Sequence, residues 1–170
     1  MTSRRRTPFP IMREDGIQEI EVHVAALCLG TSGGGLRVLA LHRAASRRLY
    51  PGYWEGVGGQ VHPGESFEAA VLRHLEVEAG LSGSIQMPFT TYLIRPGRSG
   101  SSYAIPGVRF LVTVSGTPTI RTDPRQHQGS RWIAPKDLES VRWIPGLISQ
   151  IQKGIQLYRT GRIGTRSAGR

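Results

Sequence analysis

Between Gly56 and Gly80 the chain gathers residues that could hold a divalent cation against a diphosphate: Gly56, Gly58, Gly59, Glu65, Arg73, His74, Glu76 and Glu78. Glycines at 56, 58 and 59 permit backbone conformations and close approaches that a side chain would forbid. Each helical residue turns about 100°, so His74 and Glu78, four apart, share a face, whereas Glu76 lies about 200° round from Glu78. Glu76 therefore reads as facing solvent or an arginine, and Glu78 as the carboxylate aimed at the loop. A hard cation prefers oxygen ligands and takes one or two carboxylates plus substrate phosphates. Glu78, a carbonyl near Gly58 or Gly59, and a diphosphate answer that description, and the metal would polarise a water for attack at phosphorus. Arg73 can reach back to Glu65 and fix the loop against the helix. Taken singly, each glutamate is better explained by a solvated helix face; the combined spacing is what points to chemistry.

These residues need a loop and helix to hold them. Ser66 is a good N-cap, Glu68 lies in the first turn, where the helix dipole favours an anion, and Gly80 is a stop signal, which predicts a helix from Ser66 to Ala79. Phe67, Ala70, Val71 and Leu75 mark its buried face. Residues 17–29 and 36–42 read as strands of a hairpin around the glycine-rich reversal 30–35. The basic loop 44–53 follows, then a short extended piece at 54–59. Further strands are expected at 85–94, 108–114 and 131–134, with a loop at 95–106. Pro135 opens a helical turn to Leu138, and a last helix spans 145–158. The expected fold is α+β, a mixed β-sheet between helices: a single domain at 17–158, with flexible basic segments at 1–16 and 159–170.

Composition narrows the class. The 170 residues suffice for one core, and 38% hydrophobic with 20% charged residues describes a globular chain. No apolar run approaches the ~20 residues that span a bilayer, and Arg4–Arg6 is not followed by a signal-peptide core. The lone Cys28 lies in an apolar run, as a buried thiol in a reducing cytoplasm would, so the expected location is cytoplasmic. The net charge of +10 comes from 22 basic residues, of which only Lys136 and Lys153 are lysine. No recognition motif accompanies that charge, so a field drawing in anionic nucleotides is the expected reading, rather than nucleic-acid or membrane binding. Oligomeric state is not encoded.

Gly59, Glu65, Arg73, Leu75, Glu78, Gly80 and Leu81 fall in register with a known pattern: Gly, five residues, Glu, seven residues, Arg-Glu-apolar-any-Glu-Glu-any-Gly-apolar. The segment thus resembles the box of the Nudix (MutT-like) hydrolases, in degenerate form. Residues 51–59 look like the strand leading into it, and Arg131-Trp132-Ile133 with Asp137-Leu138 like the family's late strand and turn. The resemblance implies an α/β/α sandwich and metal-dependent hydrolysis of a nucleoside diphosphate linked to another group, with Mg²⁺ or Mn²⁺ as cofactor. It implies Glu78 as catalytic metal ligand with the Gly59 carbonyl, and Gly59, Glu65, Arg73 and Gly80 as support of the loop and helix. Arg43, Arg47 and Arg48 are the expected substrate-binding cations. Two departures stand out. His74 replaces the glutamate after the box arginine, and Val77 replaces the first of the paired glutamates. Residues 126–129 (Gln, His, Gln, Gly) offer no late carboxylate, with Asp123 slightly upstream. A cluster of two or three ions would lose most of its ligands; one ion carried mainly by substrate phosphates remains. His74 could be a neutral ligand or catalytic base, or could simply pack or bond locally, and His62 and His127 carry the same choice. The second functional reading is a silent module that binds a nucleotide and does not cleave it.

Overall fold

A computed structural model describes residues 11–12, 14–16, 18–33, 35–95 and 104–161. Strands β1 (Ile11–Met12) and β2 (Gln18–Glu19) pair with each other alone. A seven-stranded mixed sheet holds β3 (His23–Ser32), β4 (Gly35–Arg43), β5 (Trp54–Glu55), β6 (Val57–Gln60), β7 (Ser84–Ile94), β8 (Ile105–Val114) and β9 (His127–Ile133). Helix α1 (Phe67–Ala79) covers one face and α2 (Leu147–Arg159) the other, with a 3₁₀ turn at Pro135–Ser140 leading to α2. The result is the expected α/β/α sandwich with a mixed sheet between helices.

Strand periodicity explains the two layers. Along β3, Val24, Ala26 and Cys28 pack toward α1 with Leu39, Leu41, Val71, Leu75 and Phe110. The intervening Leu27 and Leu29 pack toward α2 with Val38, Ala40, Leu111, Ile151 and Ile155. A central strand buried on both faces needs this near-continuous apolar run. Leu75 is fully buried, so truncating it to alanine should cost about 2–5 kcal/mol.

β3 is the axis of the sheet. It runs parallel to β8, while its other edge is shared: residues 29–32 pair with β4 and residues 23–26 with β6. β4 likewise shares an edge between β3 and β5, and gives its other edge to β9. Splitting an edge in this way opens a place at the β6 end where the glycine strand meets α1.

Element boundaries moved in instructive ways. The strand expected at 17–29 divides into β2 and β3, and β3 extends to Ser32, because Ser32 pairs with Gly35 and only two residues remain for the turn. The extended piece 54–59 is two short strands with different partners, β4 for one and β3 for the other. β9 begins at His127, four residues earlier than expected, since its pairing with β4 runs on to Arg43 across a bulge. The basic ends expected at 1–16 and 159–170 lie mostly outside the described residues; where described, Ile11–Met12 is paired and α2 runs through Arg159. The loop at 95–106 lies largely outside them too, and β8 already begins at Ile105.

Candidate active site at the glycine strand and first helix

α1 is set by its ends. The Ser66 hydroxyl accepts the Ala69 N–H at 3.1 Å, and Gly80 ends the helix in the left-handed region at φ 66°, its N–H donating to Glu76 O. A side chain at position 80 would be strained there and would press on Arg121.

The glycines of the loop work by closeness and not by unusual backbone angles: Gly56, Gly58 and Gly59 are absent from the positive-φ residues. A Cβ at Gly58 would lie 2.6 Å from Val24 O, and one at Gly59 would clash with the His74 ring. β6 can therefore lie flat between β3 and α1, with the His74 imidazole directly over Gly59.

Arg73 reaches back to Glu65 as its spacing suggested. Its Nε donates to Oε1 at 2.7 Å and its Nη2 to Oε2 at 2.8 Å, and Nη2 also reaches the Gln60 carbonyl at 3.1 Å. Glu65 in turn accepts the His62 N–H at 3.0 Å. This fork-to-fork pair fastens the loop to the helix, and the Arg73 hydrogen bonds, with the His62 amide, hold the Glu65 carboxyl down at about 2.

Glu78 points at the glycine strand. Its Oε2 accepts the Gly58 N–H at 3.3 Å, and its Oε1 lies 3.0 Å from His74 Nδ1. The other ring nitrogen of His74 lies 3.1 Å from the Gln60 carbonyl. Both partners of His74 are acceptors, and only an imidazolium donates from both nitrogens at once. Burial alone would lower its pKa, but the hydrogen bonds to Glu78 and Gln60 outweigh that and raise it. This arrangement favours the protonated imidazole of His74 beside Glu78. Glu76 is exposed and turned away, as the helical arithmetic required, and Val77 is 66% exposed.

The three arginines expected to receive substrate separate. Arg43 is buried, its Nη1 2.7 Å from both Glu55 oxygens and its Nε 2.8 Å from Leu49 O. It braces the 44–53 loop from inside instead of offering a free charge. Arg48 is exposed and Arg47 half-buried on that loop. His127 is also interior, with Nε2 3.0 Å from Glu55 Oε1, which makes it a structural donor. Burial pushes the Glu55 pKa up, but His127 and Arg43 outweigh it and the net direction is down. His62 is exposed.

A polar group on the α2 side of the sheet was not anticipated. His23 Nδ1 lies 2.6 Å from the Tyr92 hydroxyl, and Arg109 stacks 5.0 Å from the Tyr92 ring centroid while its Nε donates to Gln150 Oε1 at 2.8 Å. Arg109 is only 7% exposed, and its Nη1 approaches Gly56 from behind. Burial pushes Tyr92 up to about 12 and lowers His23 to about 4, with the nearby His74 and Arg109 charges adding to the fall. The signal was available: Arg109 interrupts the apolar run Val108-Arg-Phe-Leu-Val112, where β8 is buried on both faces. Cys28 is buried as expected, its thiol pushed up to about 12 by desolvation.

The donor set can be tested against a metal. Among the described residues no group of three His, Cys, Asp or Glu side chains converges to hold an ion. Glu78 with backbone carbonyls is a one-carboxylate set, which fits one hard cation brought with phosphates and does not fit a multi-ion cluster. Among the described residues no helix is long and apolar enough to cross a membrane.

A mixed sheet sandwiched by helices, with a carboxylate-bearing helix clamped to a glycine strand, defines an α/β/α class of fold. The pattern described as NUDIX domain matches residues 21–152, and the chain belongs to the Nudix family. Compared with curated proteins, it matches none. Among solved structures, it is similar to a C. elegans Ap4A hydrolase binary complex at 16% identity and TM-score 0.67, covering 84% of this chain and 99% of that one. A Nudix hydrolase from M. smegmatis, RenU, is 20% identical with TM-score 0.66, covering 94% of this chain and 98% of that one. The NUDIX domain of Shewanella oneidensis NrtR, complexed with ADP ribose, is 18% identical with TM-score 0.67, covering 86% and 93%.

Proposed function

We propose that the chain is a pyrophosphohydrolase that cleaves a nucleoside diphosphate linked to another group, with one divalent cation, Mg²⁺ or Mn²⁺. The observation that carries this reading is the Glu78 carboxylate, held against the Gly58 N–H at the mouth of the glycine strand while the Arg73–Glu65 pair fixes the loop beside it. The names of similar structures, an Ap4A hydrolase and an ADP-ribose complex, support a diphosphate-bridged nucleoside as the substrate class.

Each residue then has a role. Glu78 and the Gly59 carbonyl would hold the cation, which when bound neutralises phosphate charge and polarises a water. Arg47 and Arg48 draw the diphosphate to the loop, and Arg43 with Glu55 keeps that loop in place. His74 must release Glu78 Oε1 for the carboxylate to serve as ligand. Having lost the acceptor that holds its proton, His74 would give that proton to solvent, and the neutral ring could then take one up from an attacking water.

The second reading, a module that binds the same ligand and does not cleave it, is favoured by one observation. The hydrogen bond to Glu78 raises the His74 pKa, which favours a positive charge beside that carboxylate without any metal. A panel of nucleoside diphosphate derivatives, assayed for phosphate-bond cleavage with Mg²⁺ and Mn²⁺ separately, decides between them. Metal-dependent turnover abolished by Glu78→Gln supports hydrolysis. Thermal stabilisation by a ligand that is never turned over supports the binding module.

A further inference from the structure

One sizeable cavity among the described residues lies away from the box. It has a volume of about 700 Å³ and lies where the start of β4, the end of β9, the 3₁₀ turn and the end of α2 meet. Along β3, Gly30 pairs with Arg37 at this end and Val24 pairs with Gly59 at the box end. Six residues of strand separate the two by about 20 Å. A diphosphate bound at Gly59 cannot reach it.

The lining is strongly cationic. Arg37, Arg131, Lys136 and Arg159 line the cavity, with Asp137 as the single carboxylate-bearing residue. Among the described residues none of the four cations is ion-paired. Arg37 uses one nitrogen on its neighbour's carbonyl, Leu36 O, and Arg131 lies 5.2 Å from the Trp54 ring centroid. Each retains donors for a ligand. Four like charges around one hollow repel one another, and a polyanion is the partner that relieves the repulsion.

The shape and remaining groups narrow the ligand. The volume suits a small molecule. Ser140 and Asp137 add hydroxyl and carboxylate groups that suit the hydroxyls of a sugar, and Leu36, Ile133 and Pro135 supply an apolar wall. We propose that this cavity is a second ligand site, independent of the box, that binds a small organic phosphate of nucleotide or sugar-phosphate type. A continuous nucleic-acid backbone suits it less well, since Asp137 would face a phosphate.

The test uses the full chain in EDTA, so that no cation is available at the box. ADP and inorganic pyrophosphate are titrated calorimetrically into wild type, Glu78→Gln and the charge-reversed pair Arg37→Glu/Lys136→Glu. The expected result is binding by wild type and Glu78→Gln alike, weakened at least about tenfold by the charge reversal. Lys136→Gln alone, at an exposed position, must shift affinity in the same direction even if the double variant folds poorly. The proposal is overturned if ADP affinity is indifferent to Arg37 and Lys136. It is equally overturned if only single-stranded oligonucleotides bind, with affinity rising with length and falling steeply with salt, which would assign the charge to nucleic acid. Neither outcome depends on whether the box hydrolyses anything.

Discussion

Replacing Glu55 with glutamine removes the charge that neutralises Arg43. The two Arg43–Glu55 contacts are 2.7 Å, and the side chains are 9% and 17% exposed, so solvent screens the pair weakly. Two unit charges centred about 4 Å apart attract by about 4 kcal/mol at an effective dielectric of about 20. Glutamine keeps the shape and one acceptor, yet leaves the guanidinium in the interior with the Leu49 carbonyl as its remaining fixed partner. Breaking such a pair from one side costs about 3–5 kcal/mol; the slight exposure of Glu55 places the expectation near 3. Urea unfolding at pH 7 of wild type, Glu55→Gln, Arg43→Met and the double variant gives the cycle. The double variant should lose less than the sum of the singles, because no unpaired charge remains. The direction with pH follows from the lowered Glu55 pKa. The pair's contribution is complete above the ordinary carboxylate value of 4.5 and is lost as pH falls through the depressed folded value, so the glutamine variant should lose less stability on acidification. A cost below about 1 kcal/mol for Glu55→Gln would refute the reasoning that this pair braces the 44–53 loop.

Four further outcomes are expected. His23, held neutral down to about 4 against an ordinary 6.5, lets the unfolded chain bind one more proton between those values; stability should fall by up to about 3 kcal/mol from pH 6.5 to 4, and His23→Gln should flatten that fall in urea midpoints. Gly80→Ala forces a side chain into the left-handed region against Arg121 and should cost about 1–2 kcal/mol in thermal or urea unfolding. Cys28, 2% exposed with its thiol near 12, should resist alkylation in the native protein at pH 8 and react promptly in denaturant, as labelling kinetics would show. Gly59→Ala would drive the His74 ring off Glu78, visible as a loss of the raised His74 pKa in imidazole NMR titration.

How far the sequence could be read depended on how local each signal was. α1 was legible end to end because Ser66, Gly80 and the apolar face are short-range features, and the Arg73–Glu65 clamp followed from an eight-residue separation. Glu55 was passed over inside an extended piece because its partners, Arg43 and His127, lie 12 and 72 residues away, and only the pairing of β4 with β5 and β9 brings them together. For the same reason Arg43 read as a free cation. His74 was recognised as a departure, but its protonation depends on the Gln60 carbonyl on the far side of the loop, which spacing along α1 does not reveal. The α2-face group of His23, Tyr92, Arg109 and Gln150 draws on four elements and left one trace, a charge within a core strand.

The central claim is that Glu78, alone among the helix carboxylates, sustains metal-dependent cleavage of a diphosphate. It is tested most directly by product release from a nucleoside diphosphate derivative such as ADP-ribose, with wild type and Glu78→Gln side by side, each with Mg²⁺ and with EDTA. Turnover by wild type with Mg²⁺ only, falling at least about 100-fold in a folded Glu78→Gln protein, is the predicted result. Turnover that survives EDTA or the glutamine substitution would contradict it.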